Sequence, residues 1–297
     1  MTWLMRARIT AAAAVGILLI GLLGWSMVKP DDPYGIVTLR NLTAPESLML
    51  AVLSVIAGFT GYFASWPYGK EIGILTVPFG LSIWSIRSGT MANLMQMNPI
   101  TDEKLNLLGY LRWEPIFWMG IIAAGYCGVL LAESARKPDR PQIQEKESLS
   151  KQSQIINAAI AVAGSVAIAA FGIMIFAQNN KLYDDKFGTL VAQPVIGQII
   201  FAVILSFGIA GFVAKKFLKV SYIWPALAAI FISPLFTKSY SDRLVIEYLA
   251  TNWPANFFIN SIASVLPVQI AAFGAIGSVA GFWTAKRYIY WRENESG

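Results

Sequence analysis

The chain has 297 residues, 56% of them apolar and 13% charged, about half the charged fraction of a typical soluble domain, roughly 25%. Mean hydropathy is +0.56, the net charge is +6, histidine is absent and Cys127 is the only cysteine. These values exclude a soluble globular enzyme, a disordered chain and a disulfide scaffold.

Eight apolar segments follow one another along the chain, at residues 10–28, 48–66, 72–86, 115–131, 155–177, 189–214, 220–236 and 262–285. A bilayer crossing takes about 20 residues, with a range of roughly 17–25. None of the segments carries an Asp, Glu, Lys or Arg well inside hydrocarbon depth. Backbone in lipid must satisfy its own polar groups, so such runs are expected to be helices. Arg6 and Arg8 precede the first segment as they would in a signal peptide, but no small-x-small site follows Val28. It is read as a true span.

Placing the N-terminus inside puts 14 of the 23 Lys and Arg and 7 of the 17 acids on the inner side. The inner side then carries +7 and the outer side −1, the sign that sets orientation. The expectation is a multi-pass protein of the cell membrane, inner or plasma, with both termini cytoplasmic. Its basic charge meets anionic lipid headgroups and implies no nucleic acid. Residues 135–152, rich in Pro, Gln, Glu, Lys and Ser, read as a cytoplasmic linker.

That linker divides two similar halves. Asp31-Asp32-Pro33-Tyr34-Gly35 recurs as Asp184-Asp185-Lys186-Phe187-Gly188, 153 residues later. Gly58 and Gly61 resemble Gly208 and Gly211 at an offset of 150, and Trp113-Glu114-Pro115 is echoed by Trp253-Pro254. Four spans per half is an even number, so the repeats are expected to be parallel. The fold expected is therefore an all-α polytopic membrane protein of eight transmembrane helices. They form two parallel four-helix repeats, residues 1–134 and 153–297, with short interfacial helices in the outer loops. Small residues at Gly58/Gly61, Gly125/Gly128, Gly208/Gly211 and Gly274/Gly277/Gly281 favour close helix packing.

The chemistry on offer is narrow. Lack of histidine removes the commonest general base and metal ligand, and one cysteine permits no internal disulfide and no Cys-x-x-Cys pair. There is no Walker loop or dinucleotide fingerprint, and no intramembrane charge of the kind ion-coupled pumps carry. No cofactor and no catalytic residue is expected. Asp31, Asp32, Asp184 and Asp185 are weak metal candidates, since adjacent carboxylates suit hard cations, but further ligands are missing and a solvated turn explains them.

The two short third spans carry prolines: Pro78 in one, Pro225 and Pro234 in the other. Interrupted segments at matching places point to a transporter site, where Thr76, Ser82, Ser85 and Ser233 and the amides Gln193, Gln198 and Gln269 are available to a substrate. The amides also serve as interhelical hydrogen bonds. The outer loops carry amphipathic stretches near Trp113, Glu114, Tyr248 and Trp253, suited either to the headgroup layer or to a partner.

Three functions fit. The first is a membrane-embedded subunit or scaffold that is not an enzyme and binds another membrane or extracytoplasmic protein, or a second copy, through its outer loops. The second is a passive facilitator of a lipid or neutral solute, with a site between the halves. The third is a lipid-modifying enzyme using outer-surface Glu46, Arg87, Arg112, Glu114, Asp242, Arg243 and Glu247, which would work without histidine.

Overall fold

A computed structural model describes residues 3–28, 36–136 and 151–295. The first rod runs through α1 (Trp3–Gly16), a π-helical stretch at Ile17–Gly24 and α2 (Trp25–Val28). There follow α3 (Ala44–Ala64), α4 (Gly69–Gly73), α5 (Thr76–Arg87), α6 (Met91–Met97), α7 (Thr101–Leu111) and α8 (Glu114–Ala135). The second part opens with α9 (Lys151–Phe176), strands β1 (Lys181–Asp184) and β2 (Gly188–Ala192), and α10 (Ile196–Leu218). It continues through α11 (Ile223–Tyr240), α12 (Arg243–Asn252), β3 (Phe257–Phe258), a 3-10 turn at Ile262–Ser264, and α13 (Pro267–Glu295).

Among the described residues six helical stretches are long and apolar enough to cross a membrane: Trp3–Val28, Ala44–Ala64, Thr101–Ala135, Gln152–Phe176, Ile196–Leu218 and Pro267–Glu295. The chain is thus an integral membrane protein, and nearly all-α. The third and seventh expected spans come out shorter. Helix α5 has 12 residues, about 18 Å of helix at 1.5 Å per residue against a hydrocarbon core of about 30 Å. In α11 the apolar part is Ile223–Leu235.

Two expectations need correction. Residues 189–192, read as the start of a helical span, form strand β2, and the helix begins at Ile196. Strands β1 and β2 pair antiparallel, Leu182 with Leu190, and β3 adds through Val191 and Phe258. The three-residue turn between β1 and β2 closes at Gly188, whose φ of 73° is open to glycine without a Cβ clash. Likewise α13 starts at Pro267, not at 262. Cys127 is exposed on α8 and does not pack into the core.

Local signals explain several helix starts. Thr43 and Glu46 form a capping box on α3, Thr43 N–H donating to Glu46 Oε2 at 2.7 Å, with proline in the first turn. Pro78 and Pro225 also lie in first turns, each the third residue of its helix. There the missing N–H has no intrahelical partner to lose. They start helices and do not interrupt them; Pro234 alone of the three is interior.

The tightest packing joins α3 to α8 and α10 to α13. A Cβ added at Gly58 would strike the Gly125 carbonyl, and one at Gly128 the Val55 carbonyl. In the other pair, Gly211 lies against the Ser278 carbonyl and Gly281 against that of Gly208. Backbones this close gain dispersion contacts over their whole crossing. Helix α5 is pinned in the same way to the first rod, where Gly16 faces the Thr76 carbonyl and Gly80 the Gly16 carbonyl. The π-helical stretch beside it leaves the Gly21 carbonyl to Arg87, which donates at 3.4 Å and stacks on Trp25.

Contacts at one end of the bundle link Arg8 to the Tyr68 ring, Lys70 to Glu133 at 3.0 Å and Lys286 to Glu71 at 3.7 Å. Helices α6, α7 and α12 and the small sheet gather at the opposite end. They are called the outer cap below, after the expected orientation.

Candidate functional site

The outer cap is organised around one carboxylate. Asp184, at the end of β1, is buried although its sequence suggests a solvated turn. Its Oδ1 accepts from the Lys186 and Phe187 amides at 2.9 and 2.8 Å, and its Oδ2 from the Tyr248 hydroxyl at 3.0 Å and the Trp253 indole at 2.7 Å. Burial pushes this carboxyl up. The Trp253, Phe187, Lys186 and Tyr248 donors outweigh it and hold the group below the usual carboxylate range. The hairpin turn is thereby clasped to α12, with Phe187 edge-on to Tyr248 and Lys186 over the same ring at 4.7 Å. Every lone-pair direction of Asp184 is engaged by the protein, which leaves a cation little to bind. Among the described residues no group of three His, Cys, Asp or Glu side chains could hold a metal ion. Asp31 and Asp32 lie outside the described residues.

Glu114, at the first position of α8, is 2% exposed and accepts the Leu39 N–H at 2.6 Å. It ties the segment before α3 to the start of α8 and offers no carboxylate to a docking surface. Tyr248 and Trp253 have likewise committed their polar atoms to Asp184. Of the four residues named for partner binding, Trp113 alone stands well out, at 63% exposure.

Two amides, the half-buried Gln193 and the buried Gln269, hold the halves together. Gln193 Oε1 accepts from Ala92 N–H of α6 at 3.0 Å while its Nε2 donates to the Ser264 carbonyl at 3.0 Å. Gln269, fully buried, accepts from Leu266 N–H and donates to the Gly89 carbonyl at 3.2 Å and the Ser85 carbonyl at 3.5 Å. Gln198 donates to the Phe176 and Gln178 carbonyls within the second half. An amide so placed satisfies backbone groups that would otherwise be stranded out of water.

Where the caps of the halves meet, a cleft of about 320 Å³ opens between Met95, Gln96, Pro99 and Lys104 on one side and Tyr240, Ile246, Leu249 and Trp253 on the other. Its floor is apolar, since Met95, Tyr240, Ile246 and Leu249 are buried, and Lys104 stands at its rim. Sequence reasoning missed this cleft because its two walls are more than a hundred residues apart.

Among the described residues, no hydrogen bond joins the polar side chains of α5 to those of α11. Ser82 donates to the Pro78 carbonyl at 2.7 Å and Ser85 to the Ser82 carbonyl at 2.8 Å, both within α5. Thr76 Oγ1 has no hydrogen-bond partner and is wedged against Gly61. Ser233 Oγ is also buried without a partner. None of Thr76, Pro78, Ser82, Ser85, Pro225, Ser233 or Pro234 lines the outer cleft. Most of the charged residues named for an enzyme have structural work too. Glu46 caps α3, Asp242 caps α12 by accepting from Leu244 N–H, Arg243 pairs with Glu247 at 2.8 Å, and Arg87 stacks on Trp25.

No protein-family model, curated protein or solved structure matches the chain.

Proposed function

We propose that the chain is a membrane-embedded, non-catalytic subunit whose outer cap docks a second, membrane or extracytoplasmic protein, on a scaffold made by parallel duplication. The observation that carries the reading is the cap itself. It is cross-tied through Asp184 and Gln193 into a preformed surface, and it holds a cleft with buried apolar residues in its floor and Lys104 in its wall. A preformed concave surface loses little conformational freedom on binding, which favours affinity.

The duplication is supported by register. Residues 211, 278, 281 and 208 are each 153 positions beyond 58, 125, 128 and 55, so both tight crossings use the same two contacts, made by four equivalent positions at one offset. The starts of α8 and α13, Glu114 and Pro267, differ by 153 as well. The counterpart of Gly58 is then Gly211, one helical turn away from the pairing suggested by local similarity, and Trp253-Pro254 does not correspond to Trp113-Glu114-Pro115. Contacts between halves are reciprocal: α13 packs on α5 while α11 packs on α8. In this reading α5 and α11 are the short third elements of eight, and the end bearing Lys70, Glu133 and Lys286 faces the cytoplasm of a cell-membrane protein.

The facilitator reading has less behind it, since Ser82, Ser85, Gln193, Gln198 and Gln269 are engaged by the chain's own carbonyls. The test is purification of the full chain from its native membrane in mild detergent. A stoichiometric companion should persist with the wild type and be lost with Lys104→Glu combined with Gln96→Glu at the exposed wall of the cleft. A companion retained by that variant, or none at all in the wild type, contradicts docking through the cap.

A further inference from the structure

Beyond their crossing at Gly208 and Gly281, α10 and α13 part towards the end of the molecule opposite the cap. Helix α10 stops at Lys219, whose φ of 55° ends it in the left-handed region, while α13 runs on to Glu295. The opening between them is a groove of about 400 Å³ lined by Lys216, Phe217, Tyr288, Ile289, Arg292 and Glu293. From Gly281 to Arg292 is 11 residues, roughly 16 Å of helix, so the groove lies well away from the tight crossing.

We infer that this groove binds the phosphodiester headgroup of an anionic membrane lipid. Lys216 makes no ion pair among the described residues and stands over Tyr288 at 4.6 Å, Phe217 at 5.1 Å and Phe212 at 5.7 Å. The ring faces attract the ammonium itself and hold it in place, and its hydrogens turned away from them are left for an oxygen ligand. Arg292 adds a planar fork suited to phosphate. Lys215 and Lys286 both lie over Phe282, and Arg287 over Trp291. Glu293 is the opposing acid in the lining, outnumbered there by Lys216 and Arg292. Basic residues in the last turn of α10 offset its negative end, which would otherwise repel an anion.

The surroundings point to a lipid as the source of the phosphate. Phe217 and Tyr288 are exposed in the groove, and Tyr290 and Trp291 are exposed beside it on α13, at the ends of two membrane-length apolar helices. That is where aromatic rings meet headgroups and a lipid can keep its chains in hydrocarbon. This inference needs only a membrane-embedded chain and is independent of docking at the cap.

The test uses the full chain, purified in mild detergent, delipidated and read by native mass spectrometry with added phosphatidylglycerol or phosphatidylcholine. Phosphatidylglycerol should be retained preferentially. Each cation removed should weaken retention about fivefold, so Lys216→Gln with Arg292→Gln should lose it roughly 25-fold, while Lys181→Gln at the outer cap changes nothing. Equal retention of both lipids, full retention by the double variant, or displacement of the lipid by millimolar inorganic phosphate would each overturn the proposal. A photoactivatable phosphatidylglycerol on the unaltered protein gives a second reading that no folding defect can obscure. Adducts on peptides containing Phe217 or Tyr288 support the site, and adducts confined to other segments refute it.

Discussion

The α3/α8 and α10/α13 pairs are locked by equivalent backbone contacts, whereas the segments that cap them are built differently. The first half is capped by helices α6 and α7; the second by a hairpin, a short strand and α12. A crossing in which carbonyls touch glycine Cα atoms leaves no space for another side chain, so it admits little variation. Loops outside the bilayer face no such constraint and are where binding surfaces diverge. Under the docking function proposed above, specificity belongs to the cap and stability to the crossings.

The largest effects should come from breaking the crossings. Gly128→Ala and Gly281→Ala should each cost about 3 kcal/mol or more, because the new Cβ collides with backbone that cannot yield. Gly120→Ala, which meets nothing within 4 Å, should be neutral or gain a few tenths of a kcal/mol from helix propensity. Denaturation of the purified chain in mixed micelles measures all three. Equal costs for Gly128 and Gly281 sharpen the equivalence of the two pairs, and a large difference breaks it.

The ties between halves come next. Gln193→Leu should cost about 2 kcal/mol, since it strands the Ala92 N–H and the Ser264 carbonyl in a part-buried place. Gln269→Leu should cost a similar amount, because it removes the donor to the Gly89 carbonyl. Thermal unfolding of each variant is the check.

A smaller effect is expected from the Asp184 clasp, and it depends on pH. The folded carboxyl is held below its unfolded value. Its contribution is therefore present above the ordinary carboxylate range, near pH 4, and is lost as pH falls through the folded value. Asp184→Asn should lower the thermal midpoint at neutral pH, and the gap between variant and wild type should shrink below about pH 4. A gap that stays constant down to pH 2 would show that the ionised carboxylate is not what holds the hairpin to α12. Smallest of all, Trp113→Ala should change stability by less than about 0.5 kcal/mol, because the ring is exposed and unsupported.

Much of the bundle could be read in the residues, and the reasons are local. Long apolar runs set the spans, and paired glycines marked the helices that approach closest. The strand at residues 189–192 was hidden because Thr189, Leu190, Val191 and Ala192 continue an apolar run, and periodicity cannot separate a short buried strand from helix. The matching prolines were visible, but their meaning depended on whether they sat inside a helix or in its first turn, a matter of two or three residues. Asp184 reads as part of a solvated turn, and its burial was not legible because its partners Tyr248 and Trp253 come from more than sixty residues away. The outer cleft and the lipid groove arise from tertiary placement and left no local signal.

The central claim, that the outer cap is where this protein meets its partner, is tested most directly by site-specific photo-crosslinking in native membranes. A photoreactive residue replaces Gln96 or Trp113 on the cap, and Phe171 or Phe231 on exposed helix faces serves as the reference. The account predicts one discrete protein adduct from both cap positions and none from the helix faces. Adducts to protein from the helix faces alone, with the cap positions silent, would contradict it.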